Sequence, residues 1–310
     1  MTIAISDPRF PSRRILCGLR RALAGIAFLC AGVAPTSAME ADLPLPDIDM
    51  SRLVAIGGSL TEIVYALGEE SRLVARDTTS TYPEAAKALP DVGYMRALSA
   101  EGVLSVDPSA ILALEGSGPP ETIDVLEKAS VPFVLVPEGY DRAGILEKIR
   151  TVGAALDVEE EADALARRVA TDLDAAEALT DNVSEPRRVL FILSLQGGRV
   201  MASGTETAAD GMIRLAGGVN AIDGYEGYKQ LTDEAVIEAR PDVIVMMSGR
   251  GGLDTPAEEV LSHPALASTP AAANEALVRM DGLYLLGFGP RTGRAVMDLA
   301  KELYGERISN

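Results

Sequence analysis

A single histidine, two cysteines and no tryptophan close off several chemistries. One histidine cannot supply an HExxH-type zinc site or a His-rich metal centre. Two cysteines cannot build a Cys-based zinc or iron–sulfur site. Basic side chains are also scarce: 28 Lys and Arg stand against 46 Asp and Glu, a formal net charge of −18. Nucleic-acid affinity comes mainly from Lys and Arg displacing counterions, so no nucleic-acid partner is expected. The chain also lacks a GxxxxGK[ST] phosphate loop and a GxSxG nucleophile elbow. The glycines of Gly287-Phe288-Gly289-Pro290-Arg291-Thr292-Gly293 are misplaced for a dinucleotide fingerprint. These absences speak against an enzyme.

What is present begins with a targeting signal. Five arginines (Arg9, Arg13, Arg14, Arg20, Arg21) precede an apolar run from Ala22 to Val33, followed by Pro35 and Thr36-Ser37-Ala38. A basic region, a short apolar core and small residues at the exit describe a secretory signal peptide over 1–38, cut after Ala38. The run is too short to span a bilayer, and no later segment is long and apolar enough. Ser12-Arg13-Arg14 leaves twin-arginine export open beside the general route. Both cysteines, Cys17 and Cys30, fall in this segment. A thiol-free mature chain suits an oxidising compartment such as a bacterial periplasm. Removing five arginines and one aspartate (Asp7) leaves that chain more acidic still.

After a Pro- and Asp-rich leader over 39–50, strand and helix signals alternate. Apolar runs at 52–56, 73–75, 111–114 and 133–136 read as strands. Helices are expected from a Ser59 cap to Leu67 and over about 120–129. Alternation of this kind argues for a parallel α/β sheet. Residues 141–185 carry no strand signal. From Glu159 to about Thr180, Ala162, Leu165, Ala166, Val169 and Leu173 recur at helical spacing. Strand–helix alternation resumes at 188–193. The expected organisation is two α/β lobes, 51–140 and 186–310, joined by a helical linker over 141–185 with one long helix.

An internal repeat supports two lobes. Residues 98–112 (LSAEGVLSVDPSAIL) and 231–245 (LTDEAVIEARPDVIV) align without a gap, each preceded by Gly-Tyr, Gly93-Tyr94 and Gly227-Tyr228. A ligand cleft between the lobes is the default expectation. Glu101 and Glu234 sit near the two helix starts, where the helix dipole alone favours a carboxylate. Their matched placement suggests a second role, paired acidic points that meet basic residues of a partner.

The stretches 57–68 (GGSLTEIVYALG) and 77–108 (DTTSTYPEAAKALPDVGYMRALSAEGVLSVDP) resemble haem-binding periplasmic proteins of bacterial haem ABC importers. Residues 214–242 (RLAGGVNAIDGYEGYKQLTDEAVIEARPD) and 285–295 (LLGFGPRTGRA) are also similar to that family. The resemblance covers nearly all of 50–305. It implies two Rossmann-like lobes with parallel sheets, joined by a single long helix that keeps hinge motion small. The cargo it implies is ferric haem (ferric protoporphyrin IX). The partners are an ABC permease with its ATPase, fed upstream by an outer-membrane haem receptor, and the carrier works as a monomer. Ferric-siderophore and cobalamin binders share the class. A periplasmic haem or metal enzyme is the alternative outside it.

The same resemblance puts the iron ligand on Tyr94 of Gly-Tyr-x-Arg, with Arg96 beside it. A phenolate suits hard ferric iron, and a nearby cation favours the ionised phenol. Two apart in an extended loop, the side chains would point to the same side. On the residues alone, the pair reads as a partly buried Tyr with a capped hydroxyl and an exposed Arg; the resemblance is what favours the ligand reading. Tyr82 and Tyr228 are further phenols for the cleft. Arg250 and Arg291 are candidates for the haem propionates or solvated loop residues, and Met95, Met201, Met246 and Met247 for an apolar wall or plain core. His263 reads as structural. Some members of the family it resembles carry a second-lobe His that serves an additional haem; here Ser194-Leu195-Gln196-Gly197 follows the 188–193 strand with no His, so one haem is expected and not a stacked pair. Permease docking is implied for Glu101 and Glu234.

Overall fold

The computed structural model describes residues 49–248 and 255–308. The expected signal peptide, nearly all of the leader and Arg250 lie outside the described residues. The chain opens as β1 (Leu53–Ile56), α1 (Gly58–Leu67), β2 (Leu73–Arg76), α2 (Ala100–Leu104), β3 (Ala110–Leu114), α3 (Pro120–Glu127) and β4 (Phe133–Val136). The four strands form one parallel sheet in the order β2-β1-β3-β4. The central strands β1 and β3 are buried at every position, as expected where helices cover both faces. The edge strands β2 and β4 are only partly buried.

The start of α1 corrects one expectation. Its cap is Gly57, not Ser59; Ser59 is buried inside the first turn, and its hydroxyl has no hydrogen-bond partner among the described residues. Gly57 has φ 118°, and a Cβ there would stand 2.8 Å from the Leu114 Cβ, so only glycine fits. Fully buried Asp77 ties this corner to the exit of β2, accepting from the Gly57 and Thr79 amides and from the Thr79 and Ser80 hydroxyls.

Two helices, α4 (Arg142–Leu156) and α5 (Glu159–Thr180), then lead away from the first sheet. They touch at Gly153, where a Cβ would lie 2.1 Å from that of Ala162. α5 starts with Glu159, Glu160 and Glu161, which complement its dipole, and buries Ala162, Leu165, Ala166, Val169, Leu173 and Ala176 along one stripe.

The second half contains β5 (Arg188–Gln196), β6 (Arg199–Ser203), α6 (Ala208–Leu215), β7 (Val219–Asn220), β8 (Tyr228–Leu231), α7 (Asp233–Ala239), β9 (Val243–Ser248), α8 (Ala257–Leu261), α9 (Pro270–Ala273), β10 (Leu277–Asp281), α10 (Gly282–Leu286) and α11 (Thr292–Tyr304). Its sheet runs β10-β9-β5-β6-β8, with β7 on β5. Here the sheet is mixed, not purely parallel: β6 is antiparallel to both β5 and β8. The cause is local. Gly197 and Gly198 both have positive φ, 59° and 72°, the conformation that turns a strand straight back on itself.

Leu190, Ile192, Ile244 and Met246 face one core, while Val189, Phe191, Val243 and Val245 face another, the two-residue alternation of a sheet covered on both sides. The second of these cores is continuous with the first lobe through α4, α5 and α11. At Gly293 a Cβ would lie 2.6 Å from the Asp172 Cβ, so α11 packs directly on α5. The repeated units correspond in space as in sequence: α2 leads into β3 and α7 into β9. Ser99 caps the Gly102 amide and Thr232 caps the Ala235 amide.

Candidate functional site

At the carboxyl edge of the first sheet, the loop after β2 carries Tyr94. Gly93 adopts φ 104° and Gly227 φ 79°, so the glycine of each Gly-Tyr pair supplies a turn that a residue with a Cβ would strain. The Tyr94 loop is stitched down. Asp91 accepts from the Thr78 hydroxyl, the Gly93 amide and Arg76, and the Gly118 amide donates to the Met95 carbonyl. Tyr94 and Arg96 do not sit in an extended stretch. The Ala97 amide donates to the Tyr94 carbonyl at 2.7 Å, closing a turn around buried Met95. The Arg96 guanidinium still folds back and donates to the Tyr94 hydroxyl at 3.2 Å, and the Tyr94 side chain is 43% exposed.

Tyr228 arrives from the other half of the chain. It packs edge-on against Phe191 (6.4 Å between ring centres), with Thr207 and the Ala209 backbone close to its hydroxyl. Tyr94, Tyr140 and Tyr228 all lie within electrostatic reach of Arg96. Burial works against the Arg96 charge, but the Tyr94 hydrogen bond and the three hydroxyls outweigh it and raise its pKa above the ordinary value. Burial also pushes the Tyr228 and Tyr140 hydroxyls up, so both stay protonated donors at neutral pH.

Tyr82 and Arg291 form a separate cluster. Arg291 stacks on the Tyr82 ring at 3.6 Å and gives its backbone amide (3.1 Å) and one guanidinium nitrogen (2.9 Å) to buried Glu62. Arg291 is thus held by a carboxylate, which weakens its candidacy for a ligand's anion. Both residues border a cavity of about 590 Å³ between α1, α5 and α11, which Tyr94, Arg96 and Tyr228 do not line. Met95 and Met246 are core residues. His263 is tied at both ring nitrogens, by the Gly198 carbonyl and the Ala265 amide. Glu101 and Glu234 are exposed, each in the first turn of its helix.

Three residues escaped the sequence reading: Glu138 and Tyr140, both within electrostatic reach of Arg96, and Lys148, the partner of Glu138. Lys148, on α4, is fully buried, pairs with Glu138 and donates to the Phe288 carbonyl at 3.2 Å. Burial pushes the Lys148 pKa down and the Glu138 pKa up, each opposed by the partner's charge. A signal was available. Gly139-Tyr140 is another Gly-Tyr pair, just after a strand of the parallel sheet, and ligands of open α/β sheets sit outside carboxyl strand ends.

Two α/β halves, each with its own sheet and joined by a pair of helices, are the architecture of a two-lobed solute-binding protein. The profile of the family "Periplasmic binding protein" matches residues 53–283, and the chain belongs to that family. Among solved structures it is similar to the periplasmic haem-binding protein BhuT in complex with two haems. The two are 42% identical, with a TM-score of 0.77, over 81% of this chain and 97% of that one. It is also similar to apo RhuT, a periplasmic haem-binding protein from Roseiflexus sp. RS-1. That match is 37% identical, with a TM-score of 0.78, over 84% and 99% of the two chains. A vitamin B12-binding protein from Yersinia pestis is 28% identical over 68% of this chain and 75% of its own length.

Proposed function

We propose that this protein is a periplasmic carrier of ferric haem, which it binds between its lobes through the Tyr94 phenol and hands to an ABC permease and its ATPase. The observation that carries the reading is the Tyr94–Arg96 pair: an exposed phenol held by a guanidinium and faced by Tyr228 from the other lobe. Among the described residues no group of three His, Cys, Asp or Glu could cage a bare ion. A single phenolate suits an iron that brings its own equatorial ligands, as a porphyrin does. The haem-binding relatives support the same cargo. A carrier should return its haem chemically unchanged, in contrast to a haem-degrading enzyme.

The test is a hemin titration followed in the visible spectrum. The wild type should give a saturable Soret band at one hemin per chain, and Tyr94→Phe should lose the phenolate signature and bind at least tenfold more weakly. Absence of a saturable band in the wild type would overturn the haem reading. An unchanged Tyr94→Phe spectrum would move the iron to Tyr228 or Tyr82, and saturation at two hemins would overturn the single-haem expectation. Cyanocobalamin, the cargo type of the Yersinia relative, serves as the competing ligand; preferential binding of it would replace haem.

Secretion is part of the proposal. The segment 1–38 is read as the signal peptide, and amino-terminal sequencing of the exported protein should begin at Met39.

A further inference from the structure

Tyr140 stands where both lobes meet. It leaves the edge strand β4, one residue before Asp141 caps α4 through the Gly144 amide at 2.8 Å. Its ring lies edge-on to Phe288, with centres 5.3 Å apart. Gly211 of α6 leaves room for it: a Cβ at Gly211 would come within 2.3 Å of the Tyr140 carbonyl oxygen. The segment is rigid. Gly139 and Gly144 touch backbone to backbone, the Glu138 amide donates to Glu115, and the buried Lys148 grips both Glu138 and the Phe288 carbonyl. Yet among the described residues the Tyr140 hydroxyl has no hydrogen-bond partner. A half-buried phenol, fixed in place beside Arg96 and Tyr228, is a donor waiting for an acceptor.

Haem brings two carboxylates, and three cations among the described residues are already engaged. Arg96 is engaged by Tyr94, Arg291 by Glu62, and Lys148 by Glu138. We propose that Tyr140 is a further specificity-determining residue of the cleft, donating its O–H to a carboxylate of the bound tetrapyrrole. The inference rests on the haem reading and adds the contact that selects a porphyrin with free acid groups. Because burial raises the Tyr140 pKa, the hydroxyl keeps its proton at neutral pH.

The experiment compares wild type with Tyr140→Phe, using hemin and its dimethyl ester as probes. Dissociation is timed by transfer to excess apomyoglobin, and thermal melts check folding. Loss of one charge-assisted hydrogen bond should speed hemin release about tenfold, with an unmoved Soret maximum and melt. The ester, which has no free carboxylate, should leave wild type and variant at equal rates. Equal hemin release from the two proteins would overturn the proposal while leaving the carrier reading intact. So would an equal acceleration for hemin and ester, or a moved Soret band. Failure of the wild type to bind hemin would overturn both.

Discussion

Tyrosine takes a different part at each position because its neighbours differ. Tyr94 meets a guanidinium, Tyr82 lies under one, Tyr228 is close to the start of α6, and Tyr140 has no hydroxyl partner among the described residues. Tyr284 shows the electrostatics most plainly. Its hydroxyl donates to Asp298 at 2.9 Å; burial, then that bond and the Asp298 charge, push its pKa up to about 12. A folded-state value above the ordinary one stabilises the fold fully below pH 10 and loses that contribution as pH rises through 12. A component titrating near pH 12 is therefore expected in the tyrosinate absorbance, and Tyr284→Phe should remove it and flatten the alkaline fall in stability. An unaltered titration in the variant would refute the assignment.

Among the elements, the α4–α5 hairpin and the 287–291 loop hold the halves together. Lys148 reaches from α4 to the Phe288 carbonyl, and Glu62 from α1 to Arg291. Removing one member of a buried pair leaves the other charged and unpaired, which is worse than removing both. Lys148→Ala should therefore destabilise the protein by about 3–5 kcal/mol, and Lys148→Met with Glu138→Gln by clearly less. Urea unfolding of the two variants measures the difference; equal losses would show that the pair does not act as a unit. The helix stripe of α5 was legible because Ala162, Leu165, Ala166, Val169 and Leu173 repeat at a local period. Gly57 as the cap of α1 was not, since it depends on Leu114 and Asp77, far along the chain.

For the molecule as a whole, the acidity has a geometry. Glu101 and Glu234 stand exposed on equivalent short helices of the two lobes, at the corresponding places of the internal repeat. Read as docking points for basic residues of a permease, they predict a separation of roles. The double variant Glu101→Ala/Glu234→Ala should bind hemin as the wild type does, yet fail to support hemin uptake or to stimulate the permease's ATPase. Full uptake by the double variant would rule the docking role out. Such contacts weaken with salt, so uptake by the wild type should fall as ionic strength rises.

The sequence by itself determined the alternation of strands and helices, the long helix and the repeat. Each of these is written in local pattern. Tertiary structure alone decided which phenols share a site. Tyr94, Tyr140 and Tyr228 lie far apart in sequence and gather around Arg96 only when the lobes pack, while Tyr82 and Arg291, equally plausible as residues, are engaged with each other and Glu62 elsewhere. A side chain's partners depend on long-range packing, and local pattern carries no record of it.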